Sequence, residues 1–156
     1  MKLFGLLFLT CLSHFARANK DSIRLIKMLN KVFPGVEITA FHHVKTYPFV
    51  LQLKINQLLD HHHPERGTFP QLMYLYHKDF KAPNVLSIEG YRIADRFSEA
   101  SLILKANQFT VEYRFSGSSV PDSVPWDLMR FDQVLEDLHL IQNQLSKIYK
   151  KSWTAT

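Results

Sequence analysis

Apolar residues recur at steps of three and four over NKDSIRLIKMLNKVF (19–33), at Ile23, Ile26, Leu29, Val32 and Phe33. That period predicts an amphipathic helix, capped by Asn19 or Asp21 and stopped by Pro34-Gly35. The pattern then shortens to two. VEITAF (36–41) sets Val36, Ile38 and Ala40 against Glu37, Thr39 and Phe41, and FVLQLKIN (49–56) sets Leu51, Leu53 and Ile55 against Gln52, Lys54 and Asn56. Both read as half-buried strands, and the short link between them predicts an antiparallel pair.

LMYLY (72–76), VLSIEGYRI (85–93) and FTVEYRF (109–115) are rich in β-branched and aromatic residues and add further strands, about five in all. DRFSEASLILKA (95–106) allows either a short helix or a strand; Leu102, Ile103 and Leu104 favour a strand hairpinned onto 109–115. SGSSVPDSVP (116–125) is a loop, dense in Ser, Gly and Pro. It leads into 126–151, where Leu128, Phe131, Leu135, Leu138, Ile141 or Gln142, Leu145 and Ile148 predict one face of a long helix. The expected fold is α+β: a mainly antiparallel sheet flanked by an N-terminal helix and a long C-terminal helix.

The first eighteen residues change the picture of where such a domain works. Lys2, an apolar run from Leu3 to Leu12 and the ending Ala16-Arg17-Ala18 follow the order of a secretory leader, with cleavage expected after Ala18. Residues 1–18 are therefore assigned to a signal peptide and 19–156 to a single α+β domain of 138 residues. The run is too short to span a bilayer, which takes ~20 apolar residues, so no transmembrane segment is expected in the mature chain. The chain's one cysteine, Cys11, would leave with the leader, which excludes disulfides, thiolate metal sites and a cysteine nucleophile. A cysteine-free exported domain points to a bacterial periplasm or a secreted bacterial product.

Net charge is +5 for the whole chain, and without Lys2 and Arg17 it falls to +3. That is too mild, and its lysines at 147, 150 and 151 too local, for a nucleic-acid surface. LNKVFPGVEITAF (29–41), a helix entering a strand through Pro-Gly, resembles the cystatin-like first domain of periplasmic disulfide isomerases. The resemblance implies an architecture and no chemistry, since the Cys-x-x-Cys of those enzymes is missing.

The residues with most chemical potential are histidines. LLDHHHPERG (58–67) carries three in a row, of which His61 and His63 share a side in extended chain. These two are the candidate metal ligands, with His42, His43 or His77 available as a third. Gly117-Ser118-Ser119-Val120-Pro121 lacks the second glycine of a G-x-S-x-G elbow, and Glu89, Asp95, Glu99 and Glu112 read as the wet face of a sheet. The strand tyrosines, Tyr74, Tyr76, Tyr91 and Tyr113, read as core and rim, or as a surface that takes a partner's strand or an apolar ligand.

With no complete catalytic set, no catalytic residue and no cofactor are assigned. The chain reads first as an exported, non-enzymatic binding or adaptor domain working on a protein partner. The alternatives are an exported hydrolase or metal-dependent enzyme, whose histidines and carboxylates converge only in the fold, and a binder of small apolar ligands.

Overall fold

The computed structural model describes residues 20–41, 46–94 and 96–156. The leader with its cleavage point at Ala18, and His42 and His43, lie outside the described residues. A first helix, α1, covers 20–32, and Pro34-Gly35 ends it, Gly35 adopting φ 76. Its buried face is Leu25, Leu29 and Val32, while Ile23 and Ile26 are exposed. The stripe thus lies to one side of the one the spacing favoured, because Leu25 offers the same three-and-four period as Ile26.

Six strands form one sheet: β1 (Glu37–Phe41), β2 (Phe49–Leu58), β3 (Thr68–His77), β4 (Asn84–Glu89), β5 (Asn107–Glu112) and β6 (Trp153–Ala155). Their order across the sheet is β1-β2-β3-β5-β4-β6. The pairs β1·β2, β2·β3 and β3·β5 are antiparallel, and β4 is parallel to both β5 and β6. Two further helices are α2 (Glu99–Ile103) and α3 (Phe131–Leu145).

The sheet is therefore mixed, with a parallel half that strand composition alone does not indicate. Segment 95–106 contains α2 and not the favoured strand: Ser98 caps it through the Ser101 amide, and Leu102, Ile103 and Leu104 are left exposed. Short apolar runs of this kind carry no period long enough to separate helix from strand. The C-terminal helix is also shorter than expected. The chain turns after Leu145, places Ile148 and Tyr149 in the core, and returns to the sheet as β6. On α3 the buried positions are Gln133, Val134, Asp137, Ile141 and Leu145, whereas Phe131 and Leu135 face solvent.

The connections β4–α2–β5 and β5–α3–β6 run in opposite directions across the sheet, so right-handed crossovers put α2 and α3 on opposite faces. The main core lies on the α1/α3 face, where Leu25, Leu29, Ile141 and Leu145 cover Leu51, Leu53, Met73, Leu75, Phe109 and Val111. On the α2 face Tyr47 and Tyr76 pack with Phe97. No helix among the described residues is long and apolar enough to cross a membrane.

Candidate functional site at the carboxyl end of the sheet

In an open sheet with parallel strands, ligands bind in the crevice outside the strands' carboxyl ends, where neighbouring connections diverge. Here that place is the ends of β4 and β5. Three loops meet around it: 59–67 after β2, 90–98 after β4 and 113–130 after β5. A pocket of about 350 Å³ opens there, lined by Gly90 and Tyr91 from one loop and Tyr113, Ser116 and Met129 from the other. Two aromatic rings and a thioether make its walls mainly apolar.

Two carboxylates at this end of the sheet are fully buried, on Glu112 and Asp137. Glu112 closes β5. Its Oε1 accepts from the Ile93 amide at 3.1 Å, and its Oε2 from the Ser118 amide at 2.9 Å and the Ser119 hydroxyl at 2.8 Å. The loop after β4 and the loop after β5 are thus tied to one side chain. Gly117, at φ 53, passes so close over this carboxylate that any Cβ would collide with it.

Asp137 faces inward from α3. Arg114 binds it in a fork, Nε at 2.8 Å and Nη2 at 2.9 Å. The remaining guanidinium hydrogens reach the carbonyls of Leu58 at 2.9 Å, Leu59 at 3.2 Å and Leu128 at 3.0 Å. Phe69 and Phe115 lie against the guanidinium with ring centroids at 5.4 and 5.1 Å. A buried arginine is stable only when every donor is used, and here each one is.

The histidine loop joins this second centre. His61 Nε2 donates to Asp137 Oδ1 at 2.8 Å, and the His61 amide donates to Gln133 Oε1 at 2.9 Å. His63 turns to the exposed Glu65 at 3.3 Å, and His62 to Asp132 at 3.5 Å. The candidate ligand pair therefore divides between a buried carboxylate and a surface one. Among the described residues no three His, Cys, Asp or Glu side chains are grouped to hold a metal ion. Asp60, at the base of the loop, has burial raising its pKa, but hydrogen bonds from the His62 amide, Arg66 and Gln133 outweigh it and hold the carboxyl below its usual range.

His77 lies at the opposite end of the sheet, bonded through Nδ1 to the Tyr149 hydroxyl at 2.9 Å. Ser119 is no exposed nucleophile: buried, it donates to Glu112 and accepts from the Leu72 amide at 2.9 Å. Glu112 was expected on a wet sheet face. It lies inside because β5 is a central strand, buried along its whole length.

The family model of PS-10 peptidase S37 matches residues 20–156. The chain belongs to this peptidase family. It is also 32% identical over 125 residues to a prolyl tri/tetrapeptidyl aminopeptidase of Streptomyces mobaraensis, a match covering 79% of this chain and 26% of that protein. The chain thus spans about a quarter of the length of that curated relative.

Membership of the S37 peptidases overturns the reading as a non-enzymatic adaptor acting through a protein surface, and the hydrolase alternative fits better. It also replaces the likeness to disulfide-isomerase domains, which rested on thirteen residues, 29–41. Sequence reasoning missed Glu112, Arg114, Asp137 and the pocket-lining role of Tyr91. The available signal was small residues directly after strand-like runs, Gly90 after β4 and Ser116-Gly117-Ser118-Ser119 after β5, where loops at strand ends carry function.

Proposed function

We propose that this chain serves a peptidase of the prolyl tri/tetrapeptidyl aminopeptidase kind, and that the crevice at the ends of β4 and β5 receives part of the peptide substrate. The observation that carries this reading is a family match running through every strand and helix, 20–156, together with a pocket where a parallel sheet conventionally places its ligand. The pocket contributes walls rather than bond-breaking groups. Among the described residues no histidine lines it, and Ser119 and Glu112 spend their hydrogen bonds on holding loops. The role assigned to this chain is therefore the framework that holds substrate beside the reacting groups.

Export is part of the same proposal, supported by the leader-like order of Lys2, Leu3 to Leu12 and Ala16-Arg17-Ala18. The intact mass of the secreted protein checks it.

The test of the activity uses the protein at its natural length, purified from its source. A tripeptide p-nitroanilide that ends in proline and has a free amino group is expected to release p-nitroaniline. The same compound with a blocked amino group is expected to stay intact. No release from either compound overturns the aminopeptidase reading.

A further inference from the structure

Both walls of the crevice are held in backbone shapes that L-residues avoid. Tyr91 lies at φ 63, and across it the Arg92 amide donates to the Gly90 carbonyl at 2.8 Å. A three-residue turn with positive φ at its centre is rare and strained. On the other wall Phe115, next to Ser116, lies at φ 60. Among the described residues three non-glycine side chains have positive φ, Tyr91, Lys105 and Phe115, and two of them flank this one pocket. Strain of this sort persists only where surroundings over-determine it, and such places cluster at ligand clamps.

The surroundings that do so are two carboxylates. Glu112 grips the Ile93 amide on one loop and the Ser118 amide and Ser119 hydroxyl on the other. Glu89 adds a second hold on the first loop, accepting from the Ala94 amide and from Arg96 Nε, both at 3.1 Å. The outcome is a tyrosine 94% exposed that lines an apolar pocket together with Tyr113 and Met129. A ring so exposed adds little to the fold, yet the chain holds it in a strained turn.

The chemistry of this pocket favours one kind of side chain. A pyrrolidine ring is rigid, has no N–H to leave unpaired, and lays its C–H groups on the faces of aromatic rings, as proline-rich peptides do in aromatic-lined grooves. We propose that the pocket between Gly90–Tyr91 and Tyr113–Ser116 is the subsite for the proline ring of the peptide substrate, with Tyr91 as its stacking wall and Glu112 as the positioning residue that sets the two walls. This rests on the peptidase reading and deepens it.

Glu112→Gln is a sharp probe of the positioning role. An amide has one acceptor oxygen, so either flip leaves its NH₂ against the Ile93 amide or against the Ser118 amide. Tyr91→Gly removes the ring and also relieves the turn, so the variant is expected to fold, and its thermal unfolding checks that loss of fold does not explain loss of binding.

Two readouts on the natural-length protein test the proposal. In the first, isotope-labelled protein is titrated with a tripeptide ending in proline and with its alanine counterpart. Amide shifts at Gly90, Tyr91 and Ser116 are expected with the proline peptide alone. In the second, the preference in kcat/KM for a proline over an alanine p-nitroanilide is compared among variants. It should fall about tenfold or more in Tyr91→Gly and survive in Tyr91→Phe. Glu112→Gln should raise KM for the proline substrate several-fold with little change in kcat.

A proline preference that survives in Tyr91→Gly, or equal shifts with both peptides, overturns the subsite and leaves the peptidase reading standing. Selective shifts at the pocket in a protein that hydrolyses neither substrate support the subsite while the peptidase reading fails.

Discussion

Two fully buried carboxylates sit under the same rim of the sheet and do different work. Asp137 faces a permanent cation: Arg114 is itself completely buried, and the pair is closed by the carbonyls of Leu58, Leu59 and Leu128 and by the His61 imidazole. Among the described residues Glu112 accepts from neutral donors, two amides and one hydroxyl, and those donors belong to the loops that line the pocket. Charge pairing locks α3, the histidine loop and the strand ends into one unit, whereas amide binding fixes two loops that could otherwise vary. The first centre builds the molecule and the second shapes its crevice.

The largest effect should come from breaking the ion pair on one side. Arg114→Met leaves Asp137 buried without its cation, and loss of one partner of a buried pair typically costs ~3–5 kcal/mol. Chemical denaturation of Arg114→Met should show this, and Arg114→Met/Asp137→Leu should recover much of it. A single variant as stable as the parent would mean that water reaches Asp137 and that the two centres are not different in kind.

A buried imidazole hydrogen-bonded to a neutral hydroxyl sharpens the comparison next. Burial pushes the His77 imidazole down from 6.5 to about 4, against the weaker raising pull of Asp79 and Asp21. Between those values the unfolded chain binds the proton and the folded one does not, so stability is full above pH 6.5 and falls as pH drops toward 4. The whole loss is on the order of 3 kcal/mol at about 1.4 kcal/mol per unit. Melting temperature followed from pH 7.5 to 4 should show the decline, and His77→Gln should flatten it.

Glu112→Gln is expected to cost less, about 1–3 kcal/mol, since it leaves one buried donor facing another without stranding a charge. Thermal unfolding with Arg114→Met measured alongside gives the ranking directly. The smallest effect has the opposite sign. Tyr91→Gly should stabilise by about 1 kcal/mol, the order of the cost a non-glycine residue pays in the left-handed region. A destabilised Tyr91→Gly would mean that the ring packs in the fold and is not kept for a ligand.

How much of this was legible in the chain depends on the range of the physics. The pattern of two gave β1 and β2 with their antiparallel pairing, and the Pro34-Gly35 stop gave the end of α1, because both are local consequences of backbone geometry. The pattern of three to four gave the existence of α1 and α3 but rotated the stripe. Leu25 competes with Ile26, and in the first half of α3 Gln133, Val134 and Asp137 are buried in place of Phe131 and Leu135, while Ile141 and Leu145 are buried as the spacing expects. A buried polar residue is invisible to hydrophobic periodicity when its partner, Arg114, comes from another strand end.

The candidate site was the least legible part. Conspicuous histidines drew attention to 61–63, whereas the pocket is lined by Gly90, Tyr91, Tyr113, Ser116 and Met129, residues with no motif spacing. By itself the sequence determined local things: helix stops, strand alternation and a mild charge. Tertiary structure alone decided that β4 runs parallel to β5 and β6, that Glu112 and Asp137 lie inside, and that Tyr91 stands in a strained turn at the mouth of the crevice. Each of these depends on contacts between segments tens of residues apart, and no local preference along a chain encodes which distant partner will pair a strand or satisfy a buried charge.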